Sequence, residues 1–284
     1  MEIRPDFYDA FACRAGECRH SCCRGWEIDV DPDTAAFYQT LDGLLGDELR
    51  GCMQRNGNTW SFRLTESEDC PFLRADGLCR LIDELGEDAL CDICALHPRF
   101  FEEVGEHELA GVSVSCEAAA ALLLGGKGPL SFLTDAGDAL TMGELLCLLG
   151  CEPTPEELRF QPALDWDHYQ TILRRYANCE AIDTAWTKAL RGLEAVDAAE
   201  DAEAYRKEYD ADAYQRIFDY ILYHQLERLD TFGLDALLRF AHEAADFIFL
   251  WDAREHDTAE CLRRWSAEME YSTENVDRLL TELT

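Results

Sequence analysis

The sequence predicts a mainly α-helical protein: a small metal-stapled α+β N-terminal region (residues 1–128) followed by an all-helical region (129–284). Three observations predict it. Ten of the 14 cysteines fall within the first 116 residues, where short alternating apolar runs also lie. Gly125-Gly126-Lys127-Gly128 then punctuates the chain. Beyond it, helical periodicity and capping signals dominate.

In chain order, Trp26–Val30 alternates and predicts a strand. Pro32 and Asp33 open a helix expected to reach about Arg50, with Gly43 and Gly46 weakening its second half. Trp60, Phe62 and Leu64 predict a second strand. Arg80–Leu90 predicts a short helix with Cys79 and Cys91 at its ends. The runs 100–104 and 108–114 flank Gly105 as a hairpin, and a helix follows over Glu117–Leu124. The glycine run lacks the Ser/Thr of a phosphate loop and follows a helix instead of a strand, so it is a linker or helix stop. Thr141-x-x-Glu144 and Thr154-Pro-Glu-Glu157 are capping boxes. Helices are expected over 166–178, 181–196, around Tyr214–Leu222, over Ala236–Trp251, and near 257–270 and 273–283. The segment 195–204 is acidic and alanine-rich, with no element assigned.

A net charge of −33 argues against nucleic acid or an anionic membrane as the main partner, because both require a basic face. It suits solubility, or attraction of a lysine-bearing protein. The longest apolar run, Ala118–Leu124, is far too short to span a bilayer, so no transmembrane segment is expected. The opening Met-Glu-Ile-Arg-Pro-Asp has no apolar signal core, and a cytoplasmic location is expected. In a reducing compartment so many cysteines point to metal instead of disulfides.

The spacing sharpens that inference. Cys13, Cys18, Cys22 and Cys23 read Cys-x4-Cys-x3-Cys-Cys; Cys70, Cys79, the pair Cys91-x2-Cys94, and Cys116 follow. Short loops lower the entropy lost on closing thiols around one ion. A Cys-x2-Cys step turns two sulfurs toward it. All-thiolate ligation suits zinc or an iron–sulfur cluster. Adjacent Cys22 and Cys23 diverge, so they serve two sites or one of them is structural. Cys52, Cys147, Cys151, Cys179 and Cys261 are dispersed and are expected to behave as small buried hydrophobes. His20 and His97 are expected at the surface or behind the ligands. The Cys-x3-Cys-x2-Cys motif of radical enzymes fails at Gly25.

The words Phe11-Ala-Cys13, Cys22-Cys23-x-Gly25-Trp26-x-Ile28, Cys70-Pro-Phe-Leu73, Leu85-Gly-Glu87-x2-Leu90-Cys91-x2-Cys94, His97-Pro-Arg99 and Ser113-x-Ser115-Cys116-Glu117 together resemble the flagellin lysine-N-methylase family, over roughly residues 1–125. A looser similarity joins Cys22-Cys23, Cys70, Cys79 and Cys94 to small zinc- or iron-chelating domains with a Cys-x2-Cys-x2-Cys-Cys motif. The first resemblance implies a protein-lysine N-methyltransferase that uses S-adenosylmethionine, acts on flagellin and holds an oxygen-sensitive 4Fe-4S cluster. It also implies a ligand role, as candidates, for Cys13, Cys18, Cys22, Cys23, Cys70, Cys79, Cys91, Cys94 and Cys116. No catalytic base and no methyl-donor loop is marked. The alternative is a non-catalytic zinc or iron–sulfur module with a partner-binding helical domain.

Overall fold

The computed structural model describes residues 1–284, apart from the side chain of Val196. The chain forms two compact units: residues 12–99, and residues 1–11 together with 100–284. The composition break at 128 therefore falls inside the larger unit. The reason is strand pairing: Glu2–Pro5 lies in the middle of a five-stranded sheet whose other strands all come from after residue 98.

In the smaller unit, Asp29–Val30, Thr59–Phe62 and Met53–Asn56 form an antiparallel sheet in that order, with Val30 opposite Trp60 and Met53 opposite Phe62. Asp31 caps the helix Pro32–Thr40 by accepting the Thr34 N–H at 2.8 Å, and Pro32 fills the first turn. The single helix expected to Arg50 is two. The chain turns extended at Leu41, and Gly43 at φ +83° starts a second helix, Gly43–Cys52. The absent side chain of Gly46 permits the fold-back, because a Cβ there would stand 2.1 Å from the Leu41 carbonyl oxygen. Tyr38 stacks on Phe62 at 6.1 Å, and Phe72 meets Phe62 edge to face at 5.2 Å, over this core.

In the larger unit the sheet runs Arg99–Val104, His107–Val112, Glu2–Pro5, Ser131–Thr134, Ala139–Thr141. Glu2–Pro5 is parallel to His107–Val112 and antiparallel to Ser131–Thr134. The last two strands correct the expectation that everything beyond 128 is helical; the helical region begins at Met142. Alternating burial along Ser131–Thr134 explains them, since a two-residue period can bury one face of a strand only.

The Thr141 capping box forms in full and starts Met142–Leu148. The Thr154–Glu157 box also makes its hydrogen bonds, yet no helix follows. Pro162 and the buried Phe160, whose N–H donates to Gln215, draw the chain away. Helices Trp166–Ala177, Thr184–Leu193, Ala211–His224, Leu234–Glu255, Thr258–Met269 and Thr273–Leu283 match expectation within a few residues, and Val196–Tyr205 is an additional one. Leu234–Glu255 is buried on nearly every side and forms the axis of the helical layer. No helix is long and apolar enough to cross a membrane.

Replacing Gly46 by Ala is expected to destabilise the smaller unit by about 1–3 kcal/mol, as overpacking against backbone does. Urea unfolding followed through Trp26 and Trp60 fluorescence checks this; an unchanged midpoint would contradict the fold-back.

Candidate functional site

The smaller unit brings its cysteine segments together through backbone pairing. The Cys70 N–H donates to the Cys23 carbonyl at 2.8 Å, beside a bridge between Arg24 and Asp69. Leu73 bridges Cys79, and the Arg80 N–H donates to Phe72. Three stretches distant in sequence thus lie side by side. The loop carrying Cys13 and Cys18 docks on the turn before Cys79: a Cβ on Gly16 would stand 2.6 Å from the Asp76 carbonyl, so only glycine allows the approach.

Cys91 and Cys94 sit at the start of the short helix Asp92–Leu96, and the Cys94 N–H donates to the Cys91 carbonyl at 2.9 Å. Asp31 fixes this helix. One carboxylate oxygen caps Thr34 while the other accepts the Asp92 N–H at 3.0 Å. Burial pushes the Asp31 carboxyl up, but the amide donors of Thr34 and Asp92 outweigh this and hold it below its usual range. Tyr38 closes the other side, its hydroxyl donating to the Ala89 carbonyl at 2.6 Å. Neither residue was marked from sequence, although Asp31-Pro32 is itself a helix-start signal.

The thiols divide by depth. Cys70 and Cys91 are buried in the core, with Cys23, Cys79 and Cys94 packed against it. Cys13 and Cys22 are exposed, and Cys18 is half-buried. Cys22 is exposed and Cys23 half-buried, and the hydrogen bond between them holds the Cys23 thiol down at about 7. Burial pushes Cys70 up to about 12, with the neighbouring Cys23, Cys79 and Cys91 adding to it. The hydrogen bond between Cys91 and Cys94 favours the thiolate of Cys91; that bond, burial and the charges of Cys91, Cys23 and Cys70 drive Cys94 far upward. The charges of Cys91, Cys23 and Cys70 thus oppose ionisation of Cys94.

Among the described residues no three His, Cys, Asp or Glu side chains are already closed around one point in a metal-holding geometry. The donor chemistry nevertheless fits a thiolate-bound centre, with more inner thiols than one zinc or one cluster needs. Cys116 belongs to the larger unit, where it precedes the helix Glu117–Gly125. Cys52 packs on the smaller core, and Cys147, Cys151, Cys179 and Cys261 lie in the larger unit. His20 is exposed; His97 is half-buried and burial lowers its pKa.

Comparison with known proteins bears on this arrangement. The Lysine-N-methylase of Salmonella typhimurium is 29% identical over 118 residues, 39% of this chain and 29% of that protein. The chain is distantly similar to lysine-N-methylases. The enzyme of the same name from Salmonella choleraesuis matches to the same extent. The Flagellar biosynthetic protein FliU of Salmonella muenchen is 26% identical over 146 residues, 49% of this chain and 80% of that protein. The chain thus spans less than a third of the length of the lysine-N-methylases it matches. No family model matches it, and no solved structure does.

Asp31→Ala is expected to cost about 1 kcal/mol as a lost cap and to speed amide exchange at Thr34 and Asp92. Because the Asp31 carboxyl is depressed, this contribution is present above its ordinary pKa and disappears as pH falls through the lowered value. Hydrogen exchange at both amides, in the wild type and the variant, tests the clamp.

Proposed function

We propose that the chain is an iron–sulfur-dependent protein-lysine N-methyltransferase of the flagellar type, working in the cytoplasm. In this reading S-adenosylmethionine is the methyl donor and flagellin, or another lysine-bearing protein, the acceptor. The distant similarity to proteins named Lysine-N-methylase carries this reading, and the FliU match supports a flagellar context.

The sulfonium of S-adenosylmethionine supplies an electrophilic methyl group. The acceptor amine must lose its proton to attack it, so the site must offset the preference of an acidic protein for ammonium. The charge of −33 favours encounter with a lysine-bearing segment. Within the smaller unit, Cys94 feels the charges of Cys91, Cys23 and Cys70, and in this reading these four hold the 4Fe-4S centre, with Cys79 beside them. Cys13, Cys18, Cys22 and Cys116 then serve outside that set.

One observation favours the alternative of a purely structural metal, zinc included. Cys70 and Cys91 are as buried as the leucines and phenylalanines around them, so a bound ion would staple the core of a small unit directly.

Anaerobic purification with iron, zinc and sulfide analysis, followed by methyl transfer to flagellin, separates the two. Brown protein with iron and sulfide, and loss of both metal and activity in Cys94→Ser, is the expected outcome. Cys261→Ser, altering a buried thiol of the other unit, should keep its metal. Colourless zinc protein, or methyl transfer that persists without metal, would refute the cluster's role in the reaction.

A further inference from the structure

The larger unit contains a buried charged group that the proposed activity does not use. His224, at the end of helix Ala211–His224, lies between two carboxylates from other segments. Its Nδ1 is 3.0 Å from Glu270 Oε1, and its Nε2 is 3.6 Å from Glu102 Oε1. The three side chains are 13%, 0% and 11% exposed respectively, so the cluster is nearly sealed from water.

Glu102 belongs to Arg99–Val104, an edge strand that pairs on one side with His107–Val112. Phe100 packs on the His224 ring at 4.2 Å and covers Gly111, where a Cβ would meet the ring at 2.1 Å. Val104 is buried, whereas Phe101 and Glu103 face solvent. Glu102 facing His224, with Phe100 on the same ring, ties the strand to the helical layer.

We propose that Glu102, His224 and Glu270 form a pH-sensitive latch that holds the edge strand Arg99–Val104 on the helical layer and loosens it as the medium turns alkaline. With His224 charged, one carboxylate ionised and the other protonated, the three groups sum to zero. Loss of both protons leaves two carboxylates confined beside a neutral ring, a like-charge pair in low dielectric.

The surroundings offset that charge only in part, through Arg228, whose charge favours ionised Glu102. Glu227 adds negative charge. Arg228 is engaged by Glu227 and Asp277. Glu270 Oε2 accepts the hydroxyl of Ser266, the Tyr220 hydroxyl oxygen accepts the Val114 N–H, and Tyr271 hydrogen-bonds with Ser115 and Ser113. Glu102 Oε2 and Glu270 Oε1 are buried without a hydrogen-bond partner among the described residues.

The titration supports the same direction. Burial raises Glu102 to about 7. Burial lowers His224, but the negative charges of Glu270 and Glu102 more than offset this and raise it. Groups raised on folding favour the closed form while protonated, and that advantage is lost as pH climbs through about 7 and above.

Hydrogen-exchange protection factors, corrected for intrinsic rates, test the latch at pH 6 and pH 8.5 on the full chain. Residues 100–104 should lose protection by roughly tenfold or more, one pKa unit being a factor of ten, while Ser131–Thr134 of the same sheet keeps its protection. Glu102→Gln, which stays neutral, should remove the difference, as should His224→Gln. Should either variant fail to fold, the wild-type His224 ring signal must titrate above its ordinary range. Equal protection at both pH values would overturn the latch. So would loss of protection shared by the whole sheet, retention of the difference in Glu102→Gln, or a ring that titrates normally.

Discussion

The smaller unit depends on one pairing: the Cys70 N–H to the carbonyl of Cys23, at 2.8 Å. It lays the segment of Cys23 along that of Cys70, and the bridge from Leu73 to Cys79 extends the register to the turn beyond. Without these bonds the thiols would be separate side chains on separate loops. With them, Cys23, Cys70, Cys79, Cys91 and Cys94 share one small core. The aromatic series Tyr38, Phe62 and Phe72 gives that core its bulk, and Asp31 closes it by capping one helix and holding the next.

The larger unit uses the opposite tactic, tying its ends together with buried polar anchors. Its N-terminal strand is central, so residues more than two hundred positions apart must meet. Tyr223 places its hydroxyl 2.7 Å from the Ile3 carbonyl and 2.9 Å from that of Ala110. Arg216 grips Asp6 with both terminal nitrogens and gives its Nε–H to the Leu123 carbonyl. A buried guanidinium is tolerable because its donors are paired. Asp252, also buried, takes the hydroxyls of Tyr205, Tyr214 and Thr258 on its Oδ2.

The functional proposal joins two facts of different kind. The distant relatives supply a chemistry, and the packing of the smaller unit supplies a donor set suited to a thiolate-bound centre. As neutral thiols, Cys70 and Cys91 pack among the apolar side chains of that core like any small hydrophobe. The tyrosines of Tyr205–Tyr223 have a plainer role than their number invites: Tyr214, Tyr220 and Tyr223 are core side chains with committed hydroxyls.

From the sequence alone came the helices with strong caps and periodicity, such as Met142–Leu148 and Ala211–His224, because local signals set them. The clustering of cysteines along the chain was equally legible. What the order of residues could not express was long-range pairing. It did not show that Glu2–Pro5 sits mid-sheet, that the Thr154 box caps no helix, or that Val196–Tyr205 coils against the central helix. Nor did it rank nine equivalent cysteines: depth and neighbours separate Cys91 from Cys13, and both arise only when distant segments pack. Local propensity acts over a few residues, whereas burial is a property of the assembled core.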